Sequence, residues 1–448
     1  MKTKKRSNSS LKLKVYFNTF LLTAFSLITC GQTESIIALP KLIESQPETE
    51  GMSSLKLSYI DTIINNSIFD NEIPGAVVLV ARNGKIVYHK AFGKADNSCN
   101  RKLEKDDIFR IASQTKAITA TALMMLWEEG KFHLDDPISK YIPEFNNPKI
   151  LESFNENDST YTVINCDHQI TIRNLLTHTS GLGYGFLDRD ERIRKIYHKN
   201  GIIEGFTTEP ILLEDNIKKL AELPLLFNPG DEYNYCLGLD VLGYLIEVLS
   251  GNSLHDFFKI RLFEPLRMDN TWFYLPHQEK ERLVPVQVFL NDSWEPYQSK
   301  LYDINYLLSG AKSYFSGGAG LSGTAEDYAI FLQMLLNNGE LNGVRILSPT
   351  TIDLMMTNQI GDLWGKEEDW LNIRYYSLAF SVLNENAEKQ GGIGSKGTFE
   401  WGGYFNTQYF ADPNKKIIGI LYKQTMGANK DHTLSKFRQI VFASVVDE

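Results

Sequence analysis

The chain has 448 residues, 43% hydrophobic and 12% aromatic, which is ample for one large domain or two lobes around a sizeable core. Its formal net charge is −9. Removing residues 1–29 takes away six basic residues and no acidic one, leaving 40 against 55 and a net charge of −15, which argues against nucleic acid and against electrostatic binding to anionic lipid. The eight histidines are scattered, with no H-x-x-H or H-E-x-x-H spacing, so a metal site has no support in the sequence.

The N-terminus carries Lys2, Lys4, Lys5, Arg6, Lys12 and Lys14, followed by a mainly apolar run from Val15 to Thr29. That run is too short to span a bilayer comfortably and has the pattern of a secretory signal. Its end, Leu27-Ile28-Thr29-Cys30-Gly31, resembles the lipobox of bacterial lipoproteins, in which the cysteine is lipidated and becomes residue one. The expectation is an exported lipoprotein with residues 1–29 removed, Cys30 lipidated, and membrane attachment supplied by that lipid on the periplasmic or outer-membrane face. An ordinary signal peptide cleaved nearby is the alternative. Residues 30–50, polar and with two prolines, read as a flexible tether. Cys99, Cys166 and Cys236 remain, an odd number without tight spacing, which does not make a disulfide framework.

From residue 51 onward the pattern alternates. Leu55 to Phe69 has helical spacing. Ala76 to Ala81 reads as a buried strand, Arg82-Asn83-Gly84-Lys85 as a hairpin turn, and Ile86 to Phe92 as the return strand. Strand signals are sparse between Leu134 and about Phe315. Helical pieces at Ile172–His178, Asp215–Leu223, Leu239–Leu249 and Leu254–Phe263 are separated by long irregular stretches near 146–170, 184–214 and 275–316. Tyr184, Phe186, Tyr297, Tyr302, Tyr306 and Tyr314 in those stretches either line a cleft or pack the loops. Helices follow over Ala325–Asn337 and through Met356. The end returns to strands at 398–403, 406–410 and 416–422, then a helix from about Leu434 to Val446. Strands at both ends predict one antiparallel sheet completed by distant segments. It forms an α/β lobe from 51–112 and 310–448, beside a mainly helical lobe over 113–309, an α+β arrangement.

Three stretches carry chemistry. Ser113-Gln114-Thr115-Lys116 reads S-x-x-K at the start of an apolar helix that stops at Gly130. The helix start leaves N–H groups without intrahelical partners, and the i, i+3 spacing puts the two side chains on one face. A serine hydroxyl needs a base to become a nucleophile, and a lysine in apolar surroundings can serve as one. The bland reading is an N-cap serine with a first-turn lysine. The second stretch, Pro229 to Gly243, delivers Tyr235 just before a buried helix, where a phenol near an ammonium can share proton transfer or simply pack in the core. The third is Trp401-Gly402-Gly403-Tyr404, whose paired glycines let another backbone or a ligand come close.

Together these motifs resemble the serine β-lactamase and penicillin-binding-protein superfamily, closest to class C β-lactamases and family VIII carboxylesterases. S-x-x-K matches Ser113 to Lys116, the Tyr-x-Asn motif falls on Tyr235-Cys236-Leu237, and Lys-Thr-Gly falls on Trp401-Gly402-Gly403. Leu175 to Leu182 (L-L-T-H-T-S-G-L), Pro229-Gly230 and Gly318-Ala319-Gly320-Leu321 match supporting phrases. Lys396-Gly397-Thr398 is a decoy. The resemblance implies a β-lactamase-like fold and a serine hydrolase working through an acyl-enzyme on a small ester or amide, with no cofactor. Ser113 would be the nucleophile, Lys116 and Tyr235 the base and then acid, and the backbone N–H groups of Ser113 and Tyr404 the oxyanion hole. Trp401, Gly402, Gly403 and Leu237 would contact substrate. Leu237 and Trp401 replace the family's asparagine and lysine, which points to the esterase branch rather than a β-lactamase or D-aminoacyl peptidase. A non-catalytic binding lipoprotein is the rival from another class. A G-x-S-x-G elbow is absent. His178 reads as structural, and Cys236 as a small buried residue.

Overall fold

The computed structural model describes residues 42–364, 371–427 and 431–446. The proposed signal segment, its cleavage site and Cys30 lie outside the described residues.

The main sheet contains β1 (Ile43–Glu44), β2 (Gly75–Arg82), β3 (Lys85–Asp96), β4 (Arg374–Tyr376), β5 (Ser381–Leu383), β6 (Phe399–Gly403), β7 (Thr407–Asp412) and β8 (Ile417–Tyr422). Their spatial order is β1-β3-β2-β8-β7-β6-β5-β4, with the short strand Arg101–Lys102 attached to β3. All pairs are antiparallel except β1 with β3. N- and C-terminal segments therefore meet at β2–β8, as the distribution of strands along the chain predicts. The hairpin between β2 and β3 turns through Asn83 (φ 53°) and Gly84 (φ 77°), the left-handed pair that suits the twist of two antiparallel strands.

β2 is buried along its whole length, and its alternating side chains feed two cores. Ala76, Val78 and Val80 pack under α1 (Tyr59–Phe69) and α5 (Thr433–Ala443), against Ile60, Ile64, Phe437 and Val441. Val77, Leu79 and Ala81 belong to the larger core, which runs on without a break into α2 (Thr115–Glu128), α3 (Gly238–Ser250) and α4 (Ala325–Leu336). One continuous core thus joins the sheet to the helical part of the chain.

Part of the expected tether is folded. β1 pairs with β3, and Pro47–Glu50 forms a 3₁₀ turn whose buried Glu50 meets Lys85 at 2.8 Å. A polar, proline-bearing stretch reads as a linker until a partner for its carboxylate is known. The irregular stretches also hold structure: a hairpin of Lys149–Phe154 with Tyr161–Asn165, another of Gln287–Leu290 with Ser293–Pro296, and a helix over Glu191–Lys199. Tyr161–Asn165 is exposed on both faces, so no alternation of apolar residues announces it.

Candidate active site

Ser113 sits in a 3₁₀ turn, Ala112–Gln114, that opens directly into α2. Residues Thr115 to Leu126 are all buried, so this helix is packed on every side. Ala112 adopts φ 42°, a left-handed conformation that costs a residue with a Cβ energy and is held only because the surroundings over-determine it. Those surroundings are specific. Ile111 N–H donates to Leu321 C=O at 3.1 Å, Tyr422 donates to the Gln114 side chain at 2.7 Å, and Tyr328 donates to Gln114 C=O at 3.1 Å. On the other side β6 presses in: a Cβ on Gly403 would lie 2.4 Å from Ile111 C=O. A glycine is required there, and its close approach brings the start of Tyr404 beside the serine turn.

Lys116 is 1% exposed. Its Nζ donates to Gly318 C=O at 2.7 Å and lies 3.4 Å from both Ser113 Oγ and Tyr184 Oη. The Gly318 carbonyl is aimed by Asp240 on α3, whose Oδ1 accepts from Ser316 Oγ at 2.5 Å and from Gly318 N–H at 3.2 Å. Any side chain on Gly318 would strike the Asp240 carboxyl at 2.2 Å. Burial raises the Asp240 carboxyl above its ordinary range, with the nearby Lys116 charge opposing that shift.

Two tyrosines flank the ammonium. The rings of Tyr184 and Tyr235 stack at 5.3 Å, almost parallel, and Lys116 Nζ lies 5.1 Å and 4.7 Å from their centroids. The phenol within reach of Lys116 is that of Tyr184. The buried hydroxyl of Tyr235 has no partner among the described residues. Burial pushes Tyr184 well above the usual phenol range. Asp188 Oδ2 ties the two segments together by accepting from Tyr184 N–H at 2.9 Å and from the Asn234 side chain at 3.1 Å.

His178 clamps the backbone on both sides of Tyr235. Its carbonyl accepts from Asn234 N–H at 2.8 Å, its Nδ1 accepts from Cys236 N–H at 3.2 Å, and its ring packs on Tyr235 at 4.5 Å. An accepting Nδ1 places the ring proton on Nε2. Burial holds His178 neutral and pushes the Cys236 thiol up to about 11, so this buried pair is no thiolate nucleophile. His178 sits at φ 57°, which asparagine also tolerates. His178→Asn, which keeps an acceptor near the Nδ1 position, is expected to retain most of kcat. His178→Leu is expected to lose about tenfold or more, at similar KM per folded enzyme. Equal kcat in the two variants would remove the positioning role.

A cavity of about 720 Å³ opens beside Tyr235, lined also by Tyr233, Trp364, Trp401 and Gly402. The Trp401 ring lies 5.7 Å from that of Tyr235. The structure therefore brings together Ser113, Lys116, Tyr235, Trp401 and Gly402, with Gly403 and Tyr404 against the serine turn. Leu237 is corrected. It is fully buried in the main core at the N-terminus of α3 and gives no surface to the cavity, because its N–H is tied to Gly183 C=O at 3.1 Å and the chain there has begun to turn inward. Lys396 is exposed and faces Glu385, apart from the site. Tyr184, His178 and Asp240 emerge as parts of the site that spacing alone did not single out. From the sequence Tyr184 reads as a cleft or packing residue and His178 as structural; the signal for Asp240 is an acidic residue in the first turn of a largely apolar helix.

The sequence model of the β-lactamase family matches residues 58–442. An uncharacterized protein of Mycobacterium tuberculosis is 32% identical over 358 residues, covering 78% of this chain and 85% of its own length. Esterase EstB of Burkholderia gladioli is 30% identical over 379 residues, covering 82% and 90%. The solved structure of EstCE1, a hydrolase with promiscuous acyltransferase activity, superposes with TM-score 0.74 at 27% identity, over 87% of this chain and 99% of that one. The chain belongs to the β-lactamase family and is a serine hydrolase with a β-lactamase-like fold.

Proposed function

We propose that the protein is a carboxylesterase acting on small esters through an acyl-enzyme on Ser113. The observation that carries this is Lys116, buried and free of any carboxylate contact within ion-pair distance among the described residues, with its Nζ shared between Ser113 Oγ, Gly318 C=O and Tyr184 Oη. Lys116 takes the serine proton as Oγ bonds to the ester carbonyl carbon. The N–H groups of Ser113 and Tyr404 stabilise the oxyanion. The C–O bond then breaks, and the departing alkoxide receives a proton from the Lys116–tyrosine pair. Tyr235 stacks where its hydroxyl can join this relay, and Tyr184 supports the lysine from the other side. Water attacks the acyl carbon in the second half, giving its proton back through the same groups. An alcohol reaching that carbon first takes the acyl group instead, the chemistry named for EstCE1. The test is Ser113-dependent hydrolysis of 4-nitrophenyl butyrate. Hydrolysis that persists undiminished in Ser113→Ala overturns the reading.

The basic start, the short apolar run and the cysteine at its end support export and a lipid on Cys30. Mass spectrometry of the mature N-terminus is expected to find a lipidated Cys30. An unmodified N-terminal residue at another position would reject the anchor.

A further inference from the structure

The cavity beside Tyr235 and Trp401 continues around the open edge of β6. β5 pairs with β6 only at Phe399 and Glu400, so among the described residues Trp401 and Gly402 have no strand neighbour on that side, and Gly402 adds no side chain to close the gap. Beyond the gap the same cavity is lined by Ser381, Glu400, Gln408 and Arg438. Successive residues of a strand face opposite ways, so Glu400 turns toward α5 while Trp401 turns toward Tyr235.

Arg438, on α5, is 6% exposed. Its guanidinium stacks over Phe410 at 4.8 Å and donates through Nη1 to Glu400, which also accepts from Arg374 at 2.6 Å. That contact ties α5 to β6 and accounts for Nη1 alone. Nε and Nη2 of Arg438 are buried and have no partner among the described residues. In a guanidinium these two N–H groups point the same way and form the fork that grips a carboxylate with two parallel bonds. Ser381 and Gln408 also line this cavity, and Ser381 Oγ and Gln408 Oε1 are likewise buried without partners among the described residues. Buried polar atoms without partners are uncommon, and Arg438, Ser381 and Gln408 share that condition at this end of the cavity.

We propose that this end of the cavity is a carboxylate subsite, and that the substrate is an ester bearing a carboxylate on a flexible arm. Arg438 holds the carboxylate bidentately and Ser381 Oγ–H donates a third bond. The Gln408 amide turns its NH₂ group inward. The inference rests on the ester-hydrolase reading above and deepens it. The arm has to be flexible because the fork lies past Trp401 and Gly402, on the other face of β6 from the serine.

Two ester pairs test it. 4-Nitrophenyl hydrogen adipate against 4-nitrophenyl hexanoate places the charge on the acyl arm, and 5-carboxypentyl butyrate against hexyl butyrate places it on the alcohol arm. In at least one pair the carboxylate ester is expected to have the higher kcat/KM, by about tenfold or more after correction for uncatalysed reactivity, carried mainly by KM. Arg438→Gln is expected to lower that ratio about ten- to a hundredfold, and Arg438→Lys to restore only part of it, because an ammonium lacks the fork. Ser381→Ala is expected to lower the ratio less. Ratios measured on one preparation cancel any loss of folded protein. A ratio near one in both pairs, or one that Arg438→Gln leaves unmoved, overturns the subsite and leaves these polar atoms to water. Failure of all four esters to show Ser113-dependent hydrolysis overturns the hydrolase reading itself, and the subsite with it.

Discussion

Ser113→Ala is expected to lose ester hydrolysis on the order of 10⁴-fold or more and to stop reacting with a fluorophosphonate probe. The nucleophile has no substitute nearby. Cys236 is buried with its thiol pushed up to about 11, and the tyrosine phenols are held by aromatic stacking rather than turned outward. The fold should survive, since the recorded side-chain contact of Ser113 is the 3.4 Å approach of Lys116, and the turn is held by the backbone of Ile111 and by Gln114. A stability change within about 1 kcal/mol is expected for loss of so weak a contact. Peptide mapping of the labelled wild type should find the adduct on Ser113. Equal labelling of the alanine variant, or an adduct on Cys236, would reject the assigned nucleophile.

4-Nitrophenyl butyrate is expected to be hydrolysed with a kcat/KM about two to three decades above that of a chromogenic cephalosporin. A β-lactam presents a side-chain amide and a ring-bound carboxylate close to the reacting carbonyl. At the position where class C enzymes place an asparagine, this chain buries Leu237 in the core, so no side-chain amide reaches the cleft from there. At the position of the lysine stands Trp401, an uncharged indole set beside Tyr235. Each polar group buried without its partner costs about 1–3 kcal/mol, and every 1.36 kcal/mol is a factor of ten in rate. The Arg438 fork does not repair this, because it lies around the edge of β6 and a carboxylate fixed to a small rigid ring cannot extend to it. A simple butyrate has neither group and loses nothing. Comparable rates for the two substrates on one preparation, or a preference for the cephalosporin, would sink the esterase assignment.

Elements with strong local signals are legible in the residues alone. The β2–β3 hairpin could be read from Asn83-Gly84, where φ is positive at both residues and few pairs fit. The buried helix after Ser113 could be read from its run of apolar residues and its Gly130 stop. S-x-x-K spacing alone puts Ser113 and Lys116 on one face, so their meeting is a property of helix geometry rather than of the fold. The requirement for glycine at 403 was also legible, although what approached it was not.

Which groups surround the lysine is set by packing between distant parts of the chain. Gly318 lies 202 residues from Lys116 and Tyr184 lies 68 away, and no periodicity encodes a contact over such separations. The same holds for Asp240, whose value depends on a glycine turn brought to it from elsewhere in the chain. Leu237 was misplaced for a related reason: a motif position says where a residue stands along the chain, while the direction of its side chain is set by the helix it begins. Arg438 looks from sequence like one more cation on a C-terminal helix. Its free fork exists because Phe410, Glu400 and the early end of β5 come together around it, three features that are local to nothing in the chain and adjacent only in the folded sheet.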